Sequence, residues 1–74
     1  MDVFIKNLGL KIKNLRKDKG LTQDGLATEA NISGKYLGMI ERGEVNTSVK
    51  VLKNLSLALN VNIAELFAFE DRTT

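Results

Sequence analysis

The stretch from Thr22 to Gly43 leaves this chain few ways to fold. It reads as two short helices, Gln23–Ala30 and Gly34–Arg42, separated only by Asn31, Ile32 and Ser33. Thr22 and Ser33 stand where each helix begins, and hydroxyl side chains there accept from unpaired backbone N–H groups of the first turn. Asp24 lies in a first turn, where the helix dipole favours a carboxylate. Two helices joined so tightly must cross steeply and approach closely, and Ala27, in the middle of the first, is small enough to permit it. Asn31 occupies the turn, where a left-handed backbone is commonly needed; after glycine, asparagine adopts it most readily. Ile32 and Leu37 plug the corner between the helices.

The flanking sequence extends the helical pattern. Ile5, Leu8, Ile12 and Leu15 recur on one face of a helix over residues 3–19, which ends in a lysine-rich turn before Gly20. Ser48 opens a helix over 49–59, with Leu52, Leu55, Ala58 and Leu59 as its inner stripe and Asn60 as a left-handed terminator. Asn62 opens a last helix over 63–69, with Ile63, Leu66 and Phe67 facing inward and Glu65 placed as in a capping box. The polar end Glu70–Thr74 is expected to fray. Strand signals are weak: the valines of Val45–Val51 do not alternate cleanly. The expectation is an all-α, five-helix fold over residues 1–74, a single domain with a helix-turn-helix at 22–43.

Composition narrows the chemistry. The 74 residues contain no cysteine, histidine or proline. Disulfides, zinc fingers, thiol nucleophiles and histidine acid–base catalysis are therefore excluded for this sequence. No phosphate-cradling loop and no carboxylate pair in a cleft is visible, so neither an enzyme nor a bound metal, cofactor or small-molecule ligand is expected. Met1–Leu10 carries Asp2 and Lys6 and lacks the apolar run of a signal peptide, and no stretch approaches a membrane span. The expected location is the cytoplasm, with no membrane partner. Net charge is only +2, but it is unevenly spread. Residues 1–20 hold Lys6, Lys11, Lys13, Arg16, Lys17 and Lys19 against Asp2 and Asp18. A basic segment of this kind suits either a polyanion or a solvated helix face.

Taken together, Leu15–Ala27 (LRKDKGLTQDGLA), Asn31–Gly43 (NISGKYLGMIERG), Leu52–Val61 and Ile63–Phe67 (IAELF) resemble the phage-repressor and xenobiotic-response-element family of helix-turn-helix proteins, with a lambda-repressor-like fold. The similarity runs from about Leu8 to Phe67. It implies a sequence-specific regulator of transcription that binds double-stranded DNA. Gln23 matches the family's phosphate-clamping glutamine at a helix N-terminus. Gly34, Lys35, Tyr36 and Met39 match its groove-facing positions, with Gly38 on the same face. Lys35 suits guanine O6 or N7; Tyr36 suits a phosphate, a thymine methyl or simple packing. Thr22, Ser33, Arg42, Asn46, Thr47 and Ser48 match backbone-gripping positions, and Ser48 also suits an N-cap alone. Arg16 and Glu41 match a structural ion pair. Gly34 and Gly38 depart from the longer polar residues frequent in relatives. Three readings stay open: specificity resting on Lys35, Tyr36 and DNA shape, a closer approach to the bases, or the loss of a strong site.

Relatives commonly bind two half-sites as symmetric dimers. With no separate dimerisation domain in these residues, the expected C2 interface uses Val51, Leu57, Phe67 and Phe69. A five-helix unit of this length also resembles the controller proteins of restriction–modification operons. The competing reading is an antitoxin-like protein-interaction module with weakened DNA contacts.

Overall fold

The computed structural model of the chain describes residues 2–70. Four α-helices and one 3-10 helix follow in order: α1 (Val3–Asp18), α2 (Gln23–Glu29), α3 (Gly34–Glu41), α4 (Val49–Leu59) and a 3-10 turn, Ile63–Phe67. No strand occurs among the described residues. Residues 71–74 of the segment expected to fray lie outside them.

Each helix begins on a side-chain acceptor. Asp2 Oδ1 accepts from Phe4 N at 2.8 Å and Ile5 N at 3.3 Å. Thr22 Oγ1 accepts from Gly25 N at 3.0 Å, Ser33 Oγ from Tyr36 N at 2.9 Å and Ser48 Oγ from Val51 N at 3.1 Å. All four α-helices end alike. Gly20, Asn31, Gly43 and Asn60 take positive φ. The N–H of the next residue then reaches back: Leu21 to Arg16 O (3.1 Å), Ile32 to Ala27 O (3.0 Å), Glu44 to Met39 O (2.9 Å) and Val61 to Ser56 O (3.0 Å). This is the Schellman arrangement, which satisfies carbonyls that a helix end otherwise leaves unpaired. The expected helices 3–19, 23–30 and 34–42 each ran one residue long, because Lys19, Ala30 and Arg42 are near-helical caps.

The last element corrects the expected α-helix over 63–69. Its bonds span three residues, Glu65 N to Asn62 O at 2.8 Å and Ala68 N to Glu65 O at 3.1 Å. In that geometry residues i and i+3 eclipse, so Ile63 and Leu66 share the inner side while Phe67 turns outward. Leu66 is fully buried and Phe67 is exposed. Glu65 does not close a capping box. Asn62 Oδ1 takes Ala64 N, and the Glu65 carboxylate pairs with Lys11 Nζ of α1 at 3.2 Å.

The core draws on every element: Leu8 and Ile12 of α1, Leu26 and Ala27 of α2, Leu37 and Ile40 of α3, Leu52, Leu55 and Leu59 of α4, and Leu66. Within this core α3 is fixed from both sides. Its corner with α2 closes over Ala27, and its C-terminal end meets α1 at bare backbone. A Cβ on Gly9 would collide with Ile40 O and Glu41 O, so only glycine lets α1 lie this close. No helix among the described residues is long and apolar enough to cross a membrane.

Candidate nucleic-acid interface

The pivot of the site is Glu41, at the end of α3 and nearly inaccessible. Its Oε2 accepts from Arg16 Nε at 2.7 Å and its Oε1 from Arg16 Nη2 at 3.2 Å. The two side chains are only 10% and 1% exposed. Arg16 Nη1 donates on to Leu21 O at 2.9 Å, tying the α1–α2 connection to the same cluster. Buried charges held this way need every partner, and removing one typically costs about 3–5 kcal/mol.

Gln23 belongs to this cluster, which the sequence alone did not reveal. Its Nε2 donates to Glu41 Oε1 at 2.9 Å, so the carboxamide at the start of α2 is oriented from α3. The same side chain, with Arg42, roofs Gly38. A Cβ there would lie 3.1 Å from Arg42 Nη1 and 3.7 Å from both Gln23 amide atoms. Gly38, expected on the groove-reading face, is buried beneath these two side chains. A side chain at this position would press on the end of Arg42 and lie in contact with Gln23.

Gly34 has a related explanation. It opens α3, and a Cβ on it would run into Asp24 Oδ1. A carboxylate from α2 therefore stands where the first side chain of α3 would project. Lys35 is exposed beside it and makes no hydrogen bond or ion pair among the described residues. Met39 is half-buried. Tyr36 is half-buried too, and its hydroxyl hydrogen-bonds Thr47 Oγ1 at 2.9 Å, fastening α3 to the loop before α4. The packing place that Tyr36 also suited is thus taken, with Thr47 as its partner.

Of the expected backbone-gripping residues, Thr22, Ser33 and Ser48 already act as N-caps, each leaving its own O–H free to donate. Asn46 is exposed. Arg42 engages Glu44, with Nε to Oε2 at 2.9 Å and Nη2 to Oε1 at 3.2 Å. These hydrogen bonds and the opposite charges raise the Arg42 pKa and hold the Glu44 carboxyl below the usual carboxylate range. Lys35, Gln23, Arg42 and Asn46 are therefore carried on α3 or at its two margins, with Asp24 and Glu44 as acidic neighbours. No group of His, Cys, Asp and Glu that could hold a metal is found among the described residues.

The expected dimer residues divide. Val51 and Phe69 are half-buried against the chain's own core. The Phe67 and Phe69 rings both pack on Phe4, with centroids 6.1 and 5.4 Å away. Leu57 is 66% exposed on α4, between two recesses. One, of about 400 Å3, is lined by Glu29, Asn31 and Asn54; the other, of about 260 Å3, by Lys53, Val61 and Ile63.

The helix-turn-helix family matches residues 12–66. The uncharacterized HTH-type transcriptional regulator y4dJ of Sinorhizobium fredii is 38% identical over 68 residues, 92% of this chain and 88% of that protein. The control protein C.MunI of Mycoplasma sp is 36% identical over 68 residues, covering 90% of each. The crystal structure of the restriction-modification controller protein C.AhdI from Aeromonas hydrophila superposes with a TM-score of 0.84 at 35% identity. The alignment covers 85% of this chain and 96% of that one.

Proposed function

The chain belongs to the helix-turn-helix family, and from that premise we propose that it is a DNA-binding regulator of transcription, working in the cytoplasm as a homodimer on a symmetric operator. The observation that carries this reading is the exposed front of α3. Lys35 stands there without an internal partner, and Gln23 and Arg42 flank the helix. Helix N-terminal residues of a recognition helix meet base edges, and flanking polar groups fix the helix on phosphates. Lys35 is the base-reading donor, with Tyr36 and Met39 beside it. Gln23, Arg42, Asn46 and the capping hydroxyls of Thr22, Ser33 and Ser48 supply backbone contacts. Likeness over nearly full length to two controller proteins supports a restriction–modification controller as the subclass.

Leu57 supports the dimer. An exposed apolar residue beside recesses, one bearing Glu29 and the other Lys53, offers the apolar and opposite-charge groups that a two-fold pairing needs. A second reading, a protein-interaction module, is favoured by Asp24 at Gly34, because a carboxylate at the front of α3 opposes phosphate.

Selection of bound duplexes from a random pool at two salt concentrations tests the proposal. Enrichment of two symmetry-related half-sites is expected. Salt-sensitive retention with no enriched sequence would leave only backbone affinity and favour the interaction module.

A further inference from the structure

Three ion pairs are formed among the described residues, and they differ in kind. Arg16–Glu41 is buried and joins α1 to α3. Lys11–Glu65 joins α1 to the 3-10 turn. Arg42–Glu44 joins no two elements; its partners are two positions apart, with side chains 59% and 41% exposed. The fold gains little from such a pair, since solvent screens an exposed ion pair and its two side chains lose freedom in forming it.

Its geometry is nonetheless built in. The turn that brings the two side chains together is the Schellman end of α3. Gly43 is buried there at φ +73°, and a Cβ would meet the Lys6 stem of α1 at 2.7 Å. Glu44 N is fixed to Met39 O at 2.9 Å. The other three α-helix ends carry Leu21, Ile32 and Val61 at the position equivalent to Glu44, all packed against the core. An apolar residue there is the usual companion of this cap. The α3 end alone carries an acid, turned toward the guanidinium instead.

That guanidinium presents its Nε/Nη2 edge to Glu44. Carboxylate and phosphate are taken by arginine through the same bidentate fork. We propose that Glu44 is an internal stand-in for a DNA phosphate: it occupies the edge of Arg42 that a phosphate would take, and so holds DNA affinity down. The proposal rests on the reading of Arg42 as a phosphate-gripping residue. Binding is then an exchange of partners, in which phosphate displaces Glu44 without disturbing the cap, whose bonds are backbone to backbone.

The test is a double-mutant cycle on the selected duplex, with affinity read by fluorescence anisotropy across a salt series for wild type, Glu44→Gln, Arg42→Gln and the double variant. Glu44→Gln is expected to tighten binding roughly two- to five-fold per bound chain, the range of an exposed ion pair released. Arg42→Gln should weaken binding and flatten the salt dependence, and the Glu44→Gln gain should vanish in its background. A gain that persists without Arg42 would mean that Glu44 simply repels DNA, and would overturn the proposal. Weaker binding by Glu44→Gln would also overturn it, making Glu44 a group that positions Arg42. Unchanged binding by Arg42→Gln would remove the phosphate reading itself and the proposal with it. Circular dichroism melts, expected to agree among all four proteins, separate these outcomes from misfolding.

Discussion

Two glycines where helices approach one another carry opposite consequences. A Cβ on Gly9 would strike the carbonyls of Ile40 and Glu41, which belong to a helix that cannot retreat. A Cβ on Gly34 would strike only the end of the Asp24 side chain, which can rotate away. Gly9→Ala is therefore expected to destabilise by about 1–3 kcal/mol, despite alanine's better helix propensity. Gly34→Ala should stay within about 0.5 kcal/mol. Urea denaturation of the two variants checks the contrast, and equal stabilities would contradict the close approach of α1 to α3. Neither glycine's role is written in local sequence. The cap and the stop that bound α3, Ser33 and Gly43, were legible from residue type. That Gly38 lies beneath Arg42 and Gln23 was not, because Gln23 reaches over from α2 and only Arg42 is a helical neighbour. The Gln23–Glu41 bond was hidden for the same reason, spanning eighteen residues in which no periodicity links the partners.

The helices were legible because their ends are punctuated by short-range chemistry. Thr22, Ser33, Ser48 and Asn62 were recognisable caps, and Gly20, Asn31, Gly43 and Asn60 recognisable stops. The 3-10 turn escaped because its hydrogen-bond spacing depends on where Leu66 and Glu65 are held by other elements, not on its own composition. Two of the four left-handed stops are asparagine, which tolerates positive φ less well than glycine. Asn60→Gly is thus expected to raise the melting temperature. Asn60→Val should lower it, costing about 1–2 kcal/mol, or roughly 4–8 °C per kcal/mol in a domain of this size. Thermal melts followed by circular dichroism decide the point, and a stabilising valine would contradict the φ of 59° at this position.

At the scale of the whole molecule, exposed apolar groups are spread over several elements: Val3, Phe4 and Leu10 on α1, Val49 and Leu57 on α4, and Phe67 on the 3-10 turn. Phe4 and Phe67 form a partly exposed aromatic corner with Phe69, and Leu57 stands apart on α4. The apolar character of both was legible, but which residues face outward depended on the turn of the 3-10 element and on Phe4, at the far end of the chain. If Leu57 centres the dimer, Leu57→Glu should yield a folded monomer by sedimentation equilibrium at concentrations where the wild type is paired. A wild type that stays monomeric throughout would eliminate this face. The connections between helices, residues 19–22, 30–33, 42–48 and 60–62, are short and most close contacts are local, within helices and turns, although α1 packs on α3 and on the 3-10 turn, and α2 on α4, across intervening elements. Helical chains of low contact order fold in microseconds to milliseconds; stopped-flow or temperature-jump refolding is expected to show one fast phase, and a phase of seconds would contradict it. A ribosome working at about 5–20 residues per second spends about 50–200 ms on each residue. Folding therefore adds no delay of its own: the supply of binding-competent chains follows synthesis at once, and for the proposed dimer any lag in the response lies in accumulating enough of them to pair.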